Sequence, residues 1–132
     1  MSFLEIALVG AHMEGLPLNG EITALEGRFD RAAETEACYR LFALPGGPPH
    51  RPGLLRVAAG AGRAIALEVW RIPTVQVGAL LDAIPAPLGL GTVRLADGSA
   101  PKGFLVEAEG IRGAEDISHH GGWRGYLAAR SA

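Results

Sequence analysis

The apolar run from Phe3 to Val9 constrains the fold more than any other part of this chain. It is too continuously apolar for a strand with one wet face, so it reads as a strand covered on both sides. It ends at Gly10, where backbone without a Cβ can approach a neighbour or a ligand closely, and loops at strand ends are where sites usually sit.

The rest of the chain falls into short pieces separated by breakers. Arg28 to Glu34 alternates well enough for a weak strand, and Cys38 to Leu44 is a better one, stopped by Pro45-Gly46-Gly47-Pro48-Pro49. Gly46 to Gly53 reads as a mobile surface loop. Leu54 to Ala58 and Ile65 to Ile72 read as strands joined by a turn around Gly60 and Gly62. Val77, Leu80, Leu81 and Ile84 follow the 3.6-residue period of a helix that Pro73 starts and Pro85 and Pro87 stop. Asp97-Gly98 is the best hairpin signal, flanked by Thr92 to Ala96 and Gly103 to Ala108. Gly10 to Gly20 is a loop around Pro17, and Gly122 to Arg130 fits a short helix with Trp123, Tyr126 and Leu127 on one face. Six or seven strands and one good helix give an α+β fold. A small mixed β-barrel with one main helix is its natural form, because closure removes exposed edges. No linker or repeat divides the chain, so residues 1–132 are expected to form a single domain.

Composition excludes several function classes. The net charge is −2 and the arginines are scattered, so no nucleic-acid surface is expected. No apolar run approaches the ~20 residues of a membrane span, and no basic segment precedes the first one. Cys38 is the only cysteine, which excludes an internal disulfide and makes a cytoplasmic location the default. His and Cys lack ligand spacing, so neither a metal nor another cofactor is expected. Lys102 is the only lysine and Asn19 the only asparagine in an arginine-rich chain, which marks both for attention.

His12, two residues past Gly10, is the catalytic candidate, since imidazole can act as acid, base or neutral donor near pH 7. The amides of Gly10, Ala11 and His12 can form an anion-binding concavity. Asn19 either orients a carboxylate or locks the loop by bonding its backbone. Glu68 shares a strand face with Ala66 and Trp70, so under a second layer its carboxylate needs a partner. Arg40 is a candidate for that partner, or for gripping a substrate carboxylate. Lys102, after the hairpin, is either a turn lysine or an anion contact. Trp123, Arg124 and Tyr126 read as a C-terminal lock, with Arg124 available for a subunit contact. His119-His120 reads as a solvated loop.

The segment VGAHMEGLPLNGEIT resembles the opening motif of the C-terminal domain of allophanate hydrolases. The likeness continues in order through CYRLFALPG, ALEVW, IPAPLGLGTVRLADGS, KGFLVEAEG and GAEDI…GGWRGYLA, nearly the whole chain. It implies the γ-glutamylcyclotransferase-like fold and the family's functional His at His12, beside which Gly10, Ala11, Asn19, Arg40, Glu68 and Lys102 are the candidate substrate contacts. It also implies action on N-carboxycarbamate, with loss of carbon dioxide, in urea nitrogen breakdown. The implied partners are a small carboxylate substrate, a separate amidase chain and further copies of this chain.

The departures matter equally. Whole allophanate hydrolases carry an amidase half with a Ser-Ser-Lys triad, and none of Ser2, Ser99, Ser118 and Ser131 lies in such a setting. Cyclotransferases carry a catalytic Glu in Leu-Asp-x-x-Glu, whereas Leu81-Asp82-Ala83-Ile84-Pro85 puts proline there, and proline cannot be a base. Two rivals therefore stand beside the decarboxylating reading. One is a non-catalytic module that assembles with an amidase chain. The other is a cyclotransferase-like enzyme on another small amide, with Glu68 as base.

Overall fold

In the computed structural model, which describes residues 2–131, the second half of the apolar run is buried, with Ile6, Ala7 and Leu8 at most 2% exposed, while Phe3 at its start is 41% exposed. The run forms β1 (Phe3–Leu8), followed by α1 (Asn19–Ala24), β2 (Arg28–Glu34), β3 (Tyr39–Ala43), β4 (Pro52–Arg56) and β5 (Ala66–Pro73). Then come α2 (Val77–Asp82), β6 (Leu88–Thr92), β7 (Lys102–Val106), β8 (Glu115–Asp116) and α3 (Trp123–Ser131). β1 is the middle strand of a five-stranded sheet in the order β2-β5-β1-β7-β6. It pairs antiparallel with β5, placing Leu8 opposite Glu68, and parallel with β7. Its second half, covered on both faces, carries apolar residues only, whereas Glu5 in its first half reaches Arg31 of β2 at 3.2 Å.

The smaller sheet runs β4-β3-β8, all antiparallel. Tyr39 of β3 is fully buried, and its hydroxyl accepts a hydrogen bond of 2.9 Å from the Arg94 amide beyond β6. That bond ties the two sheets together. β4 lies against β7 so closely that a Cβ at Gly53 would come within 2.8 Å of Val106.

The α+β class holds, but the sheets do not close into the expected barrel. The outer edges of the large sheet meet at one bridge, Thr35 to Leu95, flanked by Glu36 N–H to Arg94 O and Ala96 N–H to Glu34 O, both 2.9 Å. Most of β2 faces outward with Arg28, Asp30 and Arg31 along it, and charged side chains keep an open edge from recruiting another strand.

Several boundaries also differ from the sequence reading. β6 starts at Leu88, in a stretch whose glycines hide it. Gly91 makes room there for Leu105, whose Cδ1 would lie 2.7 Å from a Cβ at that position. The hairpin does turn at Asp97-Gly98, with Gly98 at φ +90°. The expected loop Gly46 to Gly53 ends early, because β4 takes Pro52 and Gly53. The helix after Pro73 is only six residues long, with Leu80 buried and Leu81 exposed, and α3 is the longest helix at nine. No helix among the described residues is long and apolar enough to cross a membrane.

Candidate functional site

β1 delivers the chain to Gly10, whose backbone lies against Pro52, the first residue of β4. A Cβ on Gly10 would sit 2.4 Å from Pro52 Cδ, so no larger residue fits without moving β4. The loop then folds on itself. The Met13 amide donates to Gly10 O at 3.0 Å, the Leu18 amide donates to Ala11 O at 2.9 Å, and Asn19 Nδ2 donates to His12 O at 2.8 Å. Asn19 thus takes the loop-locking role, the structural one of its two expected alternatives. None of these turn bonds uses the amides of Gly10, Ala11 or His12, and Gly10 and Ala11 are buried.

The His12 ring is held on two sides. Its Nε2 lies 3.0 Å from Glu21 Oε1 on α1, and the ring stacks on Phe104 of β7 at 5.1 Å and 11°. The His12 side chain is 14% exposed and that of Glu21 is 53% exposed, so the pair is wet on the carboxylate side only. Burial lowers the His12 pKa below its ordinary value. The Glu21 carboxylate opposes that shift, and the charge of Arg51 adds to it. His12, Glu21, Arg51, Ile84, Pro85 and Phe104 enclose a narrow cleft. Arg51, Pro85 and Leu88 also line a cavity of about 330 Å³ with Pro45, Pro48 and Pro49 on its wall. The Arg51 side chain makes no hydrogen bond or ion pair among the described residues.

Glu68 lies in a second cluster. On β5 it is 8% exposed, and its Oε1 accepts from the Glu14 amide at 2.9 Å and from Trp70 Nε1 at 3.0 Å. Its Oε2 accepts from Arg124 Nη2 at 2.8 Å. Burial alone would raise this carboxyl's pKa. The donors from Glu14, Trp70 and Arg124 together outweigh it and leave the pKa lowered. Met13, Ala33, Glu68, Trp123 and Arg124 help to line a cavity of about 310 Å³ beside the cluster.

Two expected partners are placed elsewhere. Arg40 does not meet Glu68. It donates to Asp116 at 2.8 Å and to Ala61 O at 2.9 Å, because β8 pairs beside β3 and brings Asp116 to it. Lys102 is exposed, bonds Thr92 Oγ1 at 2.8 Å across the β6–β7 pair, and is not among the residues enclosing the His12 cleft. The structure thus gathers Gly10, Ala11, His12 and Asn19 into one turn, sets Glu68 behind that turn, and leaves Arg40 and Lys102 outside the cleft.

The sequence reading missed Glu21, Arg51 and Phe104. Glu21 is the one with a local signal, since a carboxylate early in a helix just after the His12 loop is within reach of it. Arg51 lay hidden in a stretch read as surface loop, and Phe104 needed the pairing of β1 with β7. Among the described residues, no three His, Cys, Asp or Glu side chains group as metal ligands.

The two-sheet α+β arrangement is shared with γ-glutamylcyclotransferase-like proteins. A solved structure titled gamma-glutamyl cyclotransferase superposes with a TM-score of 0.59 over 87% of this chain and 70% of that one, at 10% identity, which is a likeness of fold alone. Within that fold the chain belongs to the allophanate hydrolase C-terminal domain family, which matches residues 4–128. It is similar to the urea amidolyase of Saccharomyces cerevisiae, with 40% identity over 94% of this chain. The crystal structure of the Kluyveromyces lactis urea amidolyase matches the whole chain at 35% identity with a TM-score of 0.95. These relatives are far longer: the chain spans 7% of the first and 8% of the second. The structure of a uropathogenic E. coli-specific protein is matched over 97% of this chain and 98% of that one, at 35% identity and a TM-score of 0.89.

Proposed function

We propose that this chain decarboxylates a small dicarboxylated amine of the N-carboxycarbamate type. The reaction breaks one C–N bond. Carbon dioxide departs, the electron pair stays on nitrogen, and nitrogen takes a proton to leave carbamate. The site therefore has to grip two carboxylates and deliver one proton. The observation that carries the reading is the cleft where His12, backed by Glu21 and stacked on Phe104, meets the Arg51 guanidinium, which has no partner among the described residues. Arg51 grips the carboxylate that remains, in the role first expected of Arg40 or Lys102. As the C–N bond lengthens, charge leaves the departing carboxylate and builds on nitrogen, where the proton arrives. With Nε2 held by Glu21, the proton moves through His12 Nδ1.

The family supports this reaction, and the length of the urea amidolyases supports an amidase partner that supplies the substrate. A cyclotransferase-like reaction with Glu68 as base is disfavoured, because three donors already occupy that carboxylate. An assembly role alone gives no reason for an imidazole, a carboxylate and a guanidinium to share one cleft.

Calorimetry with malonate, a stable dicarboxylate of similar size, tests the grip, and release of labelled carbon dioxide from freshly generated N-carboxycarbamate tests the chemistry. Malonate binding that disappears in Arg51→Ala is expected. No binding by the parent chain, or tighter binding of a γ-glutamyl dipeptide, overturns the reading.

A further inference from the structure

The Glu68–Arg124 pair has no role in proton transfer, yet it touches the His12 loop from both directions. Glu68 Oε1 accepts from the Glu14 amide, two residues beyond His12, at 2.9 Å, and Arg124 Nη2 donates to the Glu14 carbonyl at 2.7 Å. The same nitrogen donates to Glu68 Oε2 at 2.8 Å. One residue of the loop, Glu14, is thus held at its N–H by β5 and at its C=O by α3. Buried Met13 precedes that residue, and His12 precedes Met13. The opposite end of the loop is fixed by the fit of Gly10 against Pro52. With both ends fixed, His12 and the three amides have little freedom to drift.

We propose that Glu68 and Arg124 are positioning residues that fix the His12 loop, so that the C-terminal helix sets the geometry of a site it does not touch. The clamp is ionic because its carboxylate is buried while its guanidinium is half exposed, with side-chain exposures of 11% and 50%. A buried carboxylate that has lost its cation is poorly tolerated, so the helix cannot leave without disturbing the loop. Charge-assisted bonds from a single nitrogen to two acceptors also fix direction more tightly than packing does. A misplacement of about 1 Å is enough to slow a reaction by about 10²-fold.

This inference rests on the decarboxylation reading for its kinetic test but not for its spectroscopic one. Arg124→Ala, Arg124→Lys and Glu68→Gln are compared with the parent chain for kcat, KM, melting temperature and the NMR titration midpoint of the His12 ring. Arg124→Ala is expected to lower kcat at least about tenfold, with a smaller change in KM, and to move the His12 midpoint. Arg124→Lys keeps a charge and several donors on one nitrogen, so it restores part of both. Glu68→Gln keeps an acceptor for the Glu14 amide and falls between them. If the parent chain binds no malonate and releases no carbon dioxide, the functional reading fails, while a moved His12 midpoint in Arg124→Ala still supports the clamp. If all three variants melt earlier yet keep the parent kcat and midpoint, the pair is a structural tie only and the proposal is overturned.

Discussion

His12 and Glu68 are ionisable groups at two ends of one short stretch of loop and strand contacts, and they are treated in opposite ways. Glu68 is saturated: donors from Glu14, Trp70 and Arg124 meet its two oxygens, and its pKa is lowered despite burial. His12 bonds the Glu21 side chain and stacks its ring on Phe104, and beside it stands Arg51 with no acceptor among the described residues. A saturated buried charge holds structure together, since any change in it leaves donors stranded. An undersatisfied group beside an unpaired opposite end is available to a ligand. Burial alone does not distinguish the two; the count of donors does.

The largest effect that can break this contrast is at His12. Loss of the ring in His12→Ala should slow decarboxylation by about 10²–10⁴-fold, the scale of general acid–base catalysis. Stability should change by no more than roughly 1 kcal/mol, as is ordinary for a loop side chain. His12→Asn sharpens the result, because Asn can donate a hydrogen bond but cannot shuttle a proton. Equal impairment of the two variants assigns proton transfer, and substantial rescue by Asn assigns anion binding. Full activity with a much lower melting temperature in both would make His12 a loop cap.

At Glu68 the balance should be reversed. Glu68→Ala strands the Trp70 indole N–H, the Glu14 amide and the Arg124 guanidinium at once. A loss of roughly 2–3 kcal/mol is expected, at the lower end for such pairs because Arg124 is half exposed to water. Urea denaturation measures it directly. A change below half of that would mean that water replaces the carboxylate without penalty, and the contrast with His12 would lose its energetic basis.

How much of this was legible in the chain follows the same division. The central strand was readable from a run in which Glu5 is the only polar residue, and the turn after Gly10 was readable because the loop signals are local. The hairpin at Asp97-Gly98 was readable for the same reason. β6 was not, since Gly89 and Gly91 carry no side-chain pattern, and the Leu105 side chain that leans over Gly91 is brought there only by the pairing with β7. Arg40 and Arg124 show the harder limit. Both are arginines with carboxylates somewhere in the chain, and only the placement of β8 beside β3 and of α3 beside β5 decides that Asp116 takes one and Glu68 the other. Barrel closure was over-read because the charged outer edge of β2 can remain open without a neighbouring strand.

Acid should expose the contrast in stages. His12, Glu68 and Asp116 all have pKa values below their ordinary ones. For each, the unfolded chain binds protons at a higher pH than the folded one, so stability rises with pH through that window and is lost as pH falls. The imidazole acts first: its contribution is complete above about 6.5, the ordinary His value, and declines below it. Glu68 and Asp116 follow below their ordinary values of 4.5 and 3.8. Denaturation midpoints taken across pH should therefore show a shallow decline and then a steeper one. His12→Asn should remove only the first, and Glu68→Gln should flatten the second.

The smallest effect belongs to Arg40, and it tests whether the contrast extends to charges outside both clusters. Arg40 and Asp116 are about equally exposed, at 37% and 36%, and sit at the margin of the smaller sheet. Solvent screens such a pair, and ordering two side chains offsets much of the attraction, so Arg40→Ala should lower stability by only about 0–1 kcal/mol. Asp116 keeps its bonds from the Ser118 amide and hydroxyl, and Ser118 in turn accepts from the Leu41 amide, so the β3–β8 junction should persist. Malonate affinity and carbon dioxide release should match the parent chain, because Arg40 is not among the residues that enclose the His12 cleft. A loss of malonate binding in Arg40→Ala as large as that in Arg51→Ala would reverse the assignment. The anion would then be gripped from the β3 side of the molecule, and Arg51 would no longer serve as the free cation of the site.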